Sequence, residues 1–149
     1  MAHSSDPAVH NALGIMESTR LSPEQKEAKI SNILSRMDAA SAAIFVNSLL
    51  VTAGTSKNGA TLSTSLANTL IQVAKSNPTL QSSIGLGMGR ATATMNTAGY
   101  TGSSTALNAA ARNSGLASLM TAMNTGVQQG QNTTVFTFVI SPSQVNSQN

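Results

Sequence analysis

Cysteine is missing from all 149 residues, which excludes a disulfide framework, a thiolate nucleophile and any cysteine-held metal or cluster. Charge is scarce, at 9% of residues, and aromatics are scarcer still, at 3% with no tryptophan. Such sparse charge excludes the charge-rich disordered tails, and 40% apolar content suffices for a core. Acids are confined to one end: Asp6, Glu17, Glu24, Glu27 and Asp38 are all five, and none follows. Residues 1–7 are polar and lack the apolar stretch of a cleavable signal peptide. The uncharged run 39–56 reaches the lower length of a membrane span but is interrupted by Ser41, Asn47, Ser48 and Thr52. It reads as a buried helix, so a membrane is not an expected partner.

What remains is small. Alanine, serine, threonine, asparagine and glycine make up 83 of the 149 residues. A core of alanine, leucine, isoleucine, valine and methionine favours close helix packing over a deep ligand cavity. The length fits one domain. The formal charge of +3 arises from four dispersed cations after residue 38 (Lys57, Lys75, Arg90, Arg112). Nucleic-acid binders cluster their cations on one face, often beside stacking aromatics. Phe45, Tyr100, Phe136 and Phe138 are not beside a basic cluster in sequence, so nucleic acid is not expected.

Periodicity predicts a mainly α-helical fold of five to seven short helices in three successive helical hairpins, a bundle or short stack, followed by one C-terminal β-strand. Residues 1–7 read as a tail, 8–126 as the helical domain, 127–132 as a linker, 133–140 as the strand and 141–149 as a second tail. Ser22-Pro23-Glu24-Gln25 opens a helix by a capping box with proline at the first position. Asp38 caps a second, although 22–53 is also compatible with one continuous helix. Asn77 reads as a cap before Pro78, Ser103 or Ser104 as the next cap, and Ser114-Gly115 as a break. A base two residues before each junction (Arg36, Lys75, Arg112) suggests a repeat, and suits the negative end of a helix dipole.

No catalytic residue, cofactor site or metal site emerges. Glu24 and Glu27 sit at a helix start, where acids favour the dipole. A hydrolase pairing His10 with Asp38 or Glu24 is the enzymatic alternative. Gly85-Leu86-Gly87-Met88-Gly89-Arg90 fails both phosphate-loop templates, because Arg90 replaces the last glycine and no G-K-[ST] follows. Gly85 and Gly89 stand four apart on one helix face and are expected to admit a neighbouring backbone. Met88, Met95, Met120 and Met123 are candidates to line an apolar pocket, though methionines at helical spacing are ordinary core.

The expected strand 133–140 carries Val135, Phe136, Phe138, Val139 and Ile140. A lone strand leaves backbone groups unpaired. It must pair with a copy of itself, with another protein's sheet edge, or within the chain near residues 43–51. The composition suits an exported or surface protein. The expectation is a non-enzymatic structural or self-assembling protein, a homo-oligomer or filament, with this strand as the joining element. The alternatives are a monomeric helical binding module, such as a secreted effector or adaptor, and an apolar-ligand carrier.

Overall fold

The structure is a computed structural model that describes residues 7–140, with side chains as far as residue 131. Seven α-helices lie among the described residues: α1 (Pro7–Glu17), α2 (Pro23–Ser35), α3 (Ala39–Gly54), α4 (Gly59–Ser76), α5 (Gln81–Thr97), α6 (Thr101–Ser114) and α7 (Ala117–Ile140). A short 3₁₀ turn, Pro78–Leu80, precedes α5.

Local chemistry places the breaks. The Ser22 hydroxyl accepts the Gln25 N–H at 3.2 Å, and the Gln25 side-chain oxygen accepts the Ser22 N–H at 2.8 Å. That reciprocal pair satisfies two otherwise orphaned donors at the start of α2. Lys26 Nζ donates to the Met16 carbonyl at 3.0 Å, bringing a cation to the carbonyl end of α1. Asp38 Oδ1 accepts the Ser41 N–H at 2.8 Å, so residues 22–53 form two helices rather than one. Gly115, at φ 71°, ends α6 in the left-handed region that favours glycine.

Two expected caps act otherwise. Asn77 makes no cap bond to the turn that follows. Its Nδ2 donates back to Val73 O at 3.1 Å and across to Ser31 Oγ at 3.2 Å, closing α4 and tying it to α2. Neither Ser103 nor Ser104 caps α6, which begins earlier, at Thr101. The buried Ser103 hydroxyl instead donates to Gly54 O at 2.7 Å, pinning α6 to the end of α3. Residues 55–58 link α3 to α4, which starts at Gly59.

The largest departure from the sequence reading is at the C-terminal end. No β-strand occurs among the described residues; α7 takes in both the expected linker 127–132 and the expected strand 133–140. Gly126 and Gly130 do not act as linker glycines; both are buried against α5. The side chains of Val135, Phe136, Phe138, Val139 and Ile140 lie outside the described residues, as do the tails 1–6 and 141–149.

The helices form two layers. Odd-numbered helices pack on odd (α1 on α3, α3 on α5, α5 on α7), and even on even (α2 on α4, α4 on α6). The hairpin pairs α1–α2, α3–α4 and α5–α6 join the layers. Contacts advance in the same direction along α5 and α7: Gly85 meets Leu119, Gly89 meets Met123 and Ala93 meets Gly130. The two helices are therefore parallel, with α6 as the return. Helix α3 is also parallel to α5, because Gly87 meets Ala43 and Val46 while Met95 meets Gly54.

Glycine makes this layer possible. A Cβ at Gly89 would sit on the Met123 carbonyl oxygen, and one at Gly126 on the Leu86 carbonyl oxygen. On the opposite face of α5, a Cβ at Gly87 would stand 2.7 Å from the Ala43 carbonyl oxygen. Each glycine costs α5 about 1 kcal/mol of helix propensity, which the close packing on both sides must offset. Leu34, Leu49, Leu50, Leu66, Leu70, Ile84, Met88, Leu107 and Leu119 fill the space between layers and are fully buried. Each such side chain supplies roughly 1.5–3 kcal/mol of burial.

Candidate functional site

The few acids have structural positions. Asp38 caps α3, and the bond from the Ser41 backbone N–H, helped by the Ser41 side chain, holds its carboxyl below the ordinary carboxylate value. Glu24 and Glu27 line the cleft between α2 and α4, on a different face of α2 from the one nearest His10. His10 is thus placed with neither Glu24 nor Asp38 in the groove it lines. Among the described residues, no group of three or more His, Asp or Glu side chains is arranged to hold a metal. No described helix is long and apolar enough to cross a membrane.

Met88, Met95 and Met123 are core side chains, whereas Met120 is 36% exposed. Gly85 and Gly89 face α7, where Leu119 and Met123 present backbone to them.

Two surfaces stand out. The first is the outer face of α7. Its inner face (Leu119, Met123, Gly126 and Gly130) is buried on α5, while Met120, Thr121, Asn124, Thr125 and Gln128 are exposed. Across this seam Arg90 Nε donates to Gln129 Oε1 at 2.9 Å. Arg112 is the last charged residue of the chain, so α7 carries no charge at any position. Soluble surfaces ordinarily hold about a quarter to a third charged residues, and the buried centres of protein interfaces are depleted in them. In the layered stack this is also the face on which a further helix would continue the series α3, α5, α7.

The second is a groove of about 650 Å³ between α1 and one face of α2. Its lining includes His10, Arg20, Lys29 and Arg36 and no carboxylate. Sequence reasoning passed over these cations because they are spread over residues 20–36 among acids. Only the fold puts Glu24 and Glu27 on another face of α2. The cue in sequence was the spacing Lys29, Asn32, Ile33, Arg36, which places four polar and apolar side chains on one helical face. Comparison with protein-family models, with curated proteins and with solved structures finds no match for this chain.

Proposed function

We propose that the protein is a non-enzymatic structural protein that works through protein–protein contacts, and that its first partner is a second copy of itself. It needs no cofactor for this role. The single observation that carries the reading is the charge-free outer face of α7 at the open end of a helical stack.

The charge distribution selects the geometry of the contact. The α1–α2 end carries three of the described acids and four bases, whereas α7 has none. A head-to-tail contact would bury unpaired charge against an uncharged face, which is costly. An isologous contact, α7 against α7, matches like with like and closes as a two-fold dimer. Residues 133–140, with Val135, Phe136, Phe138, Val139 and Ile140, continue the charge-free run in sequence and extend the joining element. A low-charge, cysteine-free surface of this kind suits an exported or surface-associated protein.

The test is light scattering after size-exclusion chromatography over a concentration series. The full chain is expected to be dimeric. Asn124→Lys combined with Gln128→Lys places like charges on both copies of the face and is expected to give a monomer with unchanged helical circular dichroism. A full chain that stays monomeric at every concentration overturns the proposal.

A further inference from the structure

The groove between α1 and α2 is independent of the α7 face, and its chemistry is different. Three cations, Arg20, Lys29 and Arg36, line it with His10, and no acid is among its lining residues. No side-chain hydrogen bond or ion pair engages Arg20, Lys29 or Arg36 among the described residues. All three side chains are exposed. Between them lie the half-buried apolar side chains of Ile15, Leu21 and Ile33.

The walls are held in place. Val9 and Ala12 of α1 are fully buried in the core, and Ile30 and Leu34 anchor α2 on its inner side. Lys26 Nζ on the Met16 carbonyl joins the end of α1 to the start of α2. The groove is thus a built feature of the hairpin, open to solvent on its cationic side.

From this placement we infer that the α1–α2 groove binds an acidic peptide segment of a partner protein, one in which an apolar side chain stands between two carboxylates. Lys29 and Arg36 are seven residues apart on α2, about 10 Å along the helix axis at ~1.5 Å per residue. In an extended peptide, alternate side chains share one face at about 6.5–7 Å intervals. Two acids flanking an apolar residue in that alternation span about 13 Å, within reach of long Lys and Arg side chains. Ile15, Leu21 and Ile33 would receive the apolar residue. A nucleic-acid strand fits the lining less well: it has no aliphatic side chain for that floor, and no Phe, Tyr or Trp lines the groove for a base to stack on.

The experiment is fluorescence anisotropy with the full chain and a labelled, end-blocked peptide in which two glutamates flank a leucine at alternate positions. Binding is expected, and is expected to weaken as salt rises, because exposed charges are screened. Lys29→Gln with Arg36→Gln is expected to weaken it at least tenfold. Lys57→Gln with Lys75→Gln removes the same net charge elsewhere and is expected to change it less than twofold. Replacing the peptide's leucine by serine is expected to weaken binding severalfold. Thermal melts of both double variants should match the parent, since these side chains are exposed. No binding by the parent chain, equal losses in the two double variants, or indifference to the leucine would overturn the inference. Tighter binding of a single-stranded oligonucleotide, lost in the same groove variant, would overturn it in favour of a nucleic-acid site.

Discussion

The same substitution is expected to have opposite signs at two glycines. At Gly89 an added Cβ would sit on the Met123 carbonyl oxygen, 2.7 Å from Val127 N and 2.9 Å from Gly126 Cα. All three are backbone atoms of α7, so no side chain can swing aside. Helices α5 and α7 must separate or shift, and overpacking of this kind typically costs about 1–3 kcal/mol, sometimes more. The gain in helix propensity from glycine to alanine is only about 1 kcal/mol. With backbone contacts on three atoms the cost belongs at the upper end, so Gly89→Ala should destabilise by roughly 2 kcal/mol net. For a chain of this size that lowers Tm by about 4–8 °C. At Gly14, inside α1, an added Cβ meets nothing within 4 Å. There the propensity term stands alone, and Gly14→Ala should raise stability by about 0.5–1 kcal/mol. Thermal unfolding followed by circular dichroism at 222 nm reads both. If Gly89→Ala is as stable as the parent, or gains like Gly14→Ala, the close parallel seating of α7 on α5 is refuted.

Two buried serines provide a second contrast. Ser63 Oγ is buried with no hydrogen-bond partner, so Ser63→Ala should be neutral or stabilising by up to about 1 kcal/mol in denaturant titrations. Ser103 Oγ donates to Gly54 O, so Ser103→Ala should destabilise by about 1–2 kcal/mol by orphaning a buried carbonyl; equal effects at the two sites would disprove the assignment. Asp38 has a carboxyl depressed below its ordinary value by the Ser41 N–H. Its stabilising effect is therefore present above the unfolded-state value, near 3.8, and lost as pH falls through the lower folded-state value. Asn caps helices about as well as Asp, so Asp38→Asn should preserve stability at neutral pH and flatten the acid limb of a Tm-against-pH curve. An unchanged acid limb would remove Asp38 from that role. Gly115→Ala must adopt φ 71° with a side chain and should destabilise by about 1 kcal/mol, checked by the same melts.

Signals that act over a few residues were legible in the sequence. The Ser22–Gln25 capping box, the break at Asp38 and the stop at Gly115 each depend on one or two hydrogen-bonding side chains or one left-handed residue, so spacing alone reveals them. Gly126 and Gly130 were not legible in this way. Taken locally, glycine among glutamines reads as a flexible linker. Its meaning here comes from Gly85 and Gly89, some forty residues earlier, which leave room for α7's backbone. Residues 133–140 read as strand because β-branched and aromatic side chains favour it; α7 continues through them, and no strand is found among the described residues. The α1–α2 groove was hidden for another reason. Along the chain Arg20, Lys29 and Arg36 alternate with Glu17, Glu24 and Glu27, and the region looks neutral. Folding α2 against α4 on one side and α1 on the other puts Glu24 and Glu27 in one cleft and Arg20, Lys29 and Arg36 in another.

The self-contact through α7 is tested most directly by cysteine trapping, for which a chain without native cysteine is well suited. Asn124→Cys places a thiol on the exposed face of α7, and Ser65→Cys places one on the exposed side of α4. Under mild oxidation at low protein concentration, Asn124→Cys is predicted to form a disulfide-linked dimer rapidly while Ser65→Cys stays monomeric. Equal, slow crosslinking at both positions would contradict an α7-to-α7 dimer.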